Sequence, residues 1–427
     1  MVGGDAMQSA LHFGLNLGLL RALPAREYGV FALVMLMGGV GLNYIRALTA
    51  MPVSVGIGRS RSSREADCCE ITFGSVACVL ATIIAGIVAC VLISWHQSDV
   101  LAGSLFIGLW SMRSHLRTAI YARGTQTPVA IGDIFFTVSG VLLSAVLWVL
   151  GRTLDLSSGA IQEGAFATLA IANGLGIAAM LIARRRRVRV TLRRSVRQRY
   201  TKLWRRLGWS GVGITTSNLQ SQGLALIVGA MAGPAAYAPI AAIFVLFVPM
   251  RLVATAVANT LQPELAADVA AHKYVKTWQH ARDWTLLLGG GGLLYGAGIM
   301  FALPWLNSRV LDGAPIHVIG ALAWAGYTAS MLYVMPRIIL EAEGAMRILA
   351  IISAVAAVVC MASVAAIVSV TVPAWSLLGA LASELIVLIG SWLALRRVLA
   401  HASRGDSPAR FRDAASTRAA HHSPRKV

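Results

Sequence analysis

Twelve apolar stretches, each about long enough to cross a bilayer as a helix and nearly free of charge, follow one another through this chain of 427 residues. A transmembrane helix needs about 20 predominantly apolar residues. The spans read as 6–23, 29–52, 71–94, 99–121, 129–150, 161–183, 209–231, 238–262, 284–304, 315–336, 346–370 and 375–395. In lipid every backbone N–H and C=O must be satisfied within the protein, which leaves helices or closed barrels. No segment shows the roughly ten-residue alternation of an outer-membrane barrel. The expected fold class is therefore all-α and integral to the membrane. Charged residues make up 13% of the chain, about half of the ~25% usual in soluble domains, so a water-facing surface could not be covered.

The formal charge of +19 would suit nucleic acid, but its distribution excludes that partner. Lys and Arg concentrate in loops after even-numbered spans: Arg59, Arg61 and Arg64; Arg123; a run over 184–206; Lys273, Lys276 and Arg282; Arg347. The run holds twelve Lys or Arg and no acid. Arg396, Arg397, Arg404, Arg410, Arg412, Arg418, Arg425 and Lys426 follow the last span, whereas the opposite side holds Arg21, Arg26, Arg152 and Arg309. By the positive-inside rule both termini are expected in the cytoplasm, with an even number of spans. A cleavable signal peptide is not expected, because no charged lead and small-residue cleavage site precede the second span. The 184–206 run has two readings, a stop signal that lies on anionic headgroups or a docking site for partner proteins.

That run divides the chain six spans from six. The expected organisation is an N-terminal lobe over 1–183, a basic cytoplasmic linker over 184–206, a C-terminal lobe over 207–397 and a disordered basic tail over 398–427. Weak internal similarity crosses the divide. LRALPAREYGVFA leads into span two and VGAMAGPAAYAPIA into span eight, which aligns Tyr28 with Tyr237. Arg117–Gly124 and Arg337–Gly344 share R-x4-A-x-G at the ends of spans four and ten. Copies of six helices keep the same orientation, so an axis along the membrane normal would relate them, with a site between them near mid-membrane.

Polar groups inside spans are costly and mark cavities or partners. In span eight Arg251, Thr255, Asn259 and Gln262 fall on one helical stripe. The alternative for Arg251 is pairing with a buried acid or with helix carbonyls that merely holds the bundle. Span two carries Asn43 and Arg46, and in the repeat register Arg46 lies opposite Thr255, one turn from Arg251. Span four carries Trp110, Arg113, Arg117 and Tyr121; span ten Ser330, Tyr333 and Arg337; span seven Thr215, Asn218 and Gln222. The expected cleft lining is thus Asn43, Arg46, Arg113, Arg117, Asn218, Gln222, Arg251, Thr255, Asn259 and Arg337. For Arg117 and Arg337, near span ends, snorkelling is an equal alternative. Guanidinium groups suit phosphates, amides and rings suit sugars, and a cationic drug would be repelled. Of the few intramembrane acids, Asp133 and Glu384 are candidates for ion coupling, though a structural role is the first reading of Glu384.

Cys68, Cys69, Cys78, Cys90 and Cys360 show no metal spacing and read as small apolar residues. His421-His422 in the tail is not expected to bind metal. No P-loop or dinucleotide fingerprint is present, and no large extracytoplasmic loop could hold a polymerase or transferase site. No cofactor is expected.

Three segments resemble the bacterial polysaccharide and O-antigen flippases of the Wzx type, within the multidrug/oligosaccharidyl-lipid/polysaccharide (MOP) exporter superfamily. LRALPAREYGVFAL at 20–33 is similar to their "aRlLGpeeyGlfal" segment, although it lacks the Gly before Pro24. IVGAMAGPAAYAPIAAIFVLFVPMRLV at 227–253 and LLGALASELIVLIGSWLALRR at 377–397 resemble the segments after helix seven and at the last helix. The resemblance implies two six-helix lobes in a V, alternating access, and passage of undecaprenyl-diphosphate-linked oligosaccharide from the cytoplasmic to the periplasmic leaflet of the bacterial inner membrane. Arg46 and Arg251 match the family's basic cavity positions. Partners would be the polyprenyl-diphosphate oligosaccharide, membrane lipids, and polymerase and export components, with membrane potential or an ion gradient as the driving force. The alternatives are a drug/cation antiporter of the same superfamily and a membrane enzyme of polysaccharide assembly.

Overall fold

The computed structural model describes residues 2–60, 62–97, 99–184, 190–191, 193–271, 273–306 and 309–402. The tail from 403 onward and the 185–189 part of the arginine run lie outside the described residues, as does the side chain of Asn259. Among the described residues the regular structure is entirely helical. The helices are α1 (Val2–Ala22), α2 (Ala25–Ile45), α3 (Met51–Arg59), α4 (Ser63–Ser94), α5 (Val100–Ala122), α6 (Thr127–Thr153) and α7 (Ser158–Arg184). They continue with α8 (Arg194–Met231), α9 (Pro234–Ala270), α10 (Tyr274–Ala302), α11 (Ile316–Leu332), α12 (Val334–Ala342), α13 (Met346–Val370) and α14 (Leu377–Ala402). Each of the twelve expected spans falls on a helix or on a joined pair, α2 with α3 and α11 with α12. Nine are long and apolar enough to cross a membrane. The other three, α1, α5 and α8, are 21, 23 and 38 residues long but carry more polar side chains.

Both joined pairs break where proline removes a hydrogen bond. Pro52 has no N–H for the Leu48 carbonyl, and the chain widens into a π turn over Arg46–Ala50, where the Met51 N–H reaches the Arg46 carbonyl. The freed Leu48 oxygen accepts from Tyr200 Oη of α8 at 3.4 Å. Pro336 likewise frees the Leu332 carbonyl, which accepts from Trp392 Nε1 of α14 at 3.1 Å. The helix is interrupted at Tyr333, between α11 and α12.

Helices α1–α7 pack among themselves and so do α8–α14, in matching patterns. The pairings α1·α6, α2·α5, α4·α5, α5·α7 and α6·α7 recur as α8·α13, α9·α11, α10·α11, α11·α14 and α13·α14. The R-x4-A-x-G segments also end alike, on glycines with φ of +74° at Gly124 and +76° at Gly344. Positive φ suits glycine, and it stops each helix. The basic run, expected as a linker, is helical from Arg194 because one face finds a seat. Tyr200 and Leu207 pack with Val53, Ile57, Ala66 and Phe73 of α3 and α4, and Val196 is buried, while Arg194, Arg197, Arg199 and Lys202 stay exposed.

Without a hydrophobic drive between helices in lipid, small residues that permit close approach set the packing. A Cβ at Gly132 of α6 would stand 2.8 Å from the Gly176 carbonyl of α7. Stacked rings fill the centre of the first helix set, with Phe31–Phe166 and Phe106–Trp110 centroids each 5.4 Å apart. Phe247 and Tyr327 do the same in the second set, also at 5.4 Å.

Candidate functional site

The two helix sets meet along α2, which runs against α8 and α9. At the N-terminal ends of α2 and α9 the fit is tight. Tyr28 and Tyr237 occupy the same position, the fourth residue of each helix, and both are buried. Gly29 lies directly against the Pro234 carbonyl. Burial then varies along the helices. Residues 237–243 of α9 are almost all buried, Arg251, Leu252, Val253 and Thr255 are exposed, and Leu261, Leu265 and Val269 are buried again; beyond α2, Arg46 is exposed while Thr49, Ala50 and Val53 are buried. The two helices approach each other most closely at their N-terminal ends.

Arg46, directly after α2, and Arg251, on the equivalent helix α9, are both exposed. Neither has an ion-pair partner among the described residues, so the bundle-holding alternative for Arg251 finds no acid. The π turn starts at Arg46 itself. Such turns shift helical register by one residue and re-aim the side chains beyond them. Thr255 is exposed beside Arg251, with its hydroxyl donating to the Arg251 carbonyl at 2.8 Å. Asn43 Nδ2 donates to Asn218 Oδ1 at 2.7 Å, and Tyr44 Oη to Thr215 Oγ1 at 2.8 Å. These two bonds tie α2 to α8, so Asn43 and Asn218 form the seam between the sets. Gln222, one turn further along α8, is half-buried.

Arg113 and Arg117 lie elsewhere. Arg113 is 1% exposed and donates to Asp133 Oδ1 at 2.6 Å and to Gln8 Oε1 at 3.1 Å. Its guanidinium lies 3.8 Å from the Phe136 ring centroid, and Arg117 pairs with Asp133 Oδ2 at 3.0 Å. The triad joins α1, α5 and α6 inside the first set, which corrects the expectation of Arg113 and Arg117 as cleft lining. The stripe exists, but Asp133 draws it inward, since a buried charge needs a counter-charge. The same pairing commits Asp133 to structure. Arg337 reaches Glu341 one turn on, at 3.2 Å.

The second set handles its buried acid differently. Glu384 of α14 accepts from Tyr333 Oη at 2.9 Å and from Gln220 Nε2 at 3.1 Å. Both donors are neutral, and no arginine lies within ion-pair distance of Glu384 among the described residues. Gln220, Tyr44, Gln8 and Tyr200 were not singled out from the sequence. The signal was the i, i+4 spacing of Gln8 with His12 and of Val196 with Tyr200.

No protein-family model matches the chain, and no curated protein matches its sequence. Solved structures do share the fold. An inward-facing multidrug resistance MATE family transporter of the MOP superfamily superposes with a TM-score of 0.65 at 15% identity, covering 93% of this chain and 96% of that one. The lipid II flippase MurJ, in an inward closed conformation, gives 0.67 at 11% identity, with 94% and 89% covered. An outward-facing multidrug resistance MATE family transporter gives 0.57 at 13% identity, with 95% and 94% covered. The three are transporters and a flippase rather than enzymes. The chain is a multi-pass membrane protein with the fold that MATE transporters and MurJ share.

Proposed function

We propose that this protein moves a polyprenyl-diphosphate-linked oligosaccharide from the cytoplasmic to the outer leaflet of a bacterial cytoplasmic membrane by alternating access, for polysaccharide synthesis or export. The observation that carries this reading is the contrast between two kinds of arginine. Arg113 and Arg117 are buried and share Asp133, while Arg46 and Arg251 stand exposed on the equivalent helical segments, without ion pairs among the described residues. Exposed guanidinium groups contributed by both helix sets suit an anion with several oxygens, and a diphosphate fits. The positive-inside bias supports cytoplasmic termini. Each negative charge carried outward across an inside-negative membrane gains ~2.3 kcal/mol per 100 mV, so potential alone can drive export. The flippase reading also accounts for membrane lipids as partners, with a polymerase and export components downstream.

The test is transport of a fluorescent undecaprenyl-diphosphate oligosaccharide in proteoliposomes. Arg46→Gln/Arg251→Gln is expected to lose at least about tenfold in initial rate at unchanged protein level and melting temperature, the cost of one charge-assisted hydrogen bond or more. Wild-type rates in the double variant would remove both arginines from the site.

Glu384 supports a second reading, a cation-coupled drug antiporter. A carboxylate held by neutral donors is the kind of group such a carrier uses. Under that reading transport follows an ion gradient rather than the potential, and cationic dyes compete for it.

A further inference from the structure

A second basic cavity lies at the seam of the helix sets, apart from the central arginines. It is a broadly open depression of about 620 Å³, lined by Arg59 of α3, Arg64 and Glu65 of α4, and Arg199 of α8, with Ser60, Ser62, Cys68 and Cys69. We propose that this cavity is a binding site for the phosphate headgroup of an anionic lipid in the leaflet on the basic side of the membrane.

Four observations converge on it. First, three arginines from three separate helices line one space, and none has an ion-pair partner among the described residues. Like charges held together repel, and an anion between them relieves that cost. Second, two of the neighbouring acids are already committed, which leaves Glu65 against three arginines in the lining. Glu70 holds both Arg184 and Arg123, and Asp67 holds Arg123 at 2.5 Å. Third, α4 starts at the cavity, with Ser62 Oγ accepting from the Glu65 N–H at 3.3 Å. The positive end of a 32-residue helix adds to the arginines' field. Fourth, the depth is right. The expected span begins at 71, so Arg59, Arg64 and the first turns of α4 sit at headgroup level, where a basic residue gains ~1 kcal/mol from anionic lipid.

The α8 segment explains why Arg199 is held there. An amphipathic basic helix ordinarily buries its apolar face in the lipid interface. Here Tyr200 and Leu207 pack on α3 and α4 instead, and Tyr200 lies edge-on to Phe73 with centroids 6.0 Å apart. The segment belongs to the second helix set by chain and to the first by contact. A headgroup bound by Arg59, Arg64 and Arg199 therefore bridges the two sets.

Two sources supply this chemistry, a bulk phospholipid or the diphosphate of the proposed cargo. The experiment uses the full chain in detergent and needs no transport. Phosphatidylglycerol, phosphatidylcholine and undecaprenyl diphosphate are titrated separately, with binding followed by native mass spectrometry and alkylation of Cys68 and Cys69 by peptide mapping. Phosphatidylglycerol is expected to slow alkylation of both thiols where phosphatidylcholine does not. Arg59→Gln/Arg64→Gln/Arg199→Gln should bind it on the order of 100-fold more weakly, from three basic residues. The corresponding triple Lys variant should stay within a few-fold of wild type, and so should Arg46→Gln/Arg251→Gln. The last variant separates this site from the central one, so that either proposal can fail alone. Protection by undecaprenyl diphosphate alone identifies a cargo entry site, and protection by phosphatidylglycerol identifies a structural lipid. Unprotected thiols in the wild-type chain with both lipids, or a triple Gln variant that binds like wild type, overturn the proposal.

Discussion

Gly29 of α2 rests against the backbone carbonyl of Pro234 in α9, with no room for a side chain between them. The two equivalent helices thus touch backbone to backbone at their N-terminal ends. Gly29→Val should force them apart at a cost of about 1–3 kcal/mol, the usual range for overpacking, and should lower the melting temperature and transport together. Gly39→Val, ten residues along the same helix where an added Cβ meets nothing within 4 Å, should be near neutral. Equal behaviour of the two variants would show that the contact does not hold the two helices together.

Asp133 is the shared counter-ion of Arg113 and Arg117. Asp133→Asn removes the carboxylate that both buried guanidinium groups share, and breaking a buried ion pair typically costs about 3–5 kcal/mol. Folded yield after detergent extraction should fall sharply. Replacing the set with apolar residues, as in Arg113→Met/Arg117→Met/Asp133→Leu, should recover most of it. If the triple variant folds no better than Asp133→Asn, the triad does more than neutralise itself.

Pro52 maintains the π turn that begins at Arg46. Pro52→Ala restores an N–H for the Leu48 carbonyl, and loss of the extra residue would rotate the preceding helix by about 100° relative to the following one. Stability should hold or rise, because proline inside a helix is costly, while transport falls. A variant that transports normally would show that the turn does not set the aim of Arg46.

Glu384→Gln keeps an acceptor for the Tyr333 hydroxyl and removes the carboxylate. Transport driven by membrane potential alone should persist within about a factor of two, whereas any acceleration by a pH gradient should disappear. Retained acceleration would take Glu384 out of ion coupling and leave it a structural anchor between α8, α11 and α14.

The spans were legible because hydropathy is a local property: twenty apolar residues announce themselves without tertiary information. Arg113 was harder. Its spacing with Trp110 and Arg117 correctly described a stripe, but Asp133, twenty residues away on another helix, decides which way that stripe points. The helical start of α8 was hidden by its own charge. Val196, Tyr200 and Leu207 lie at i, i+4 and i+11, an apolar face diluted by arginines that a reading for net charge passes over. The Tyr28 and Tyr237 anchors were legible because each stands at the fourth position of its helix, right after a Pro- or Gly-marked turn.

The matched packing of the two helix sets carries a constraint that differs from place to place. Away from the axis the copies are free to diverge, and one holds its buried acid with two arginines while the other uses a tyrosine and a glutamine. On the axis each copy is the other's environment. Tyr28 and Tyr237, with Gly29 and Pro234 beside them, share one fixed volume, so a larger side chain on one helix requires a smaller one on its counterpart. Changes tolerated there should arrive in pairs, and a selection for function after random mutation of these four positions would read out that linkage directly.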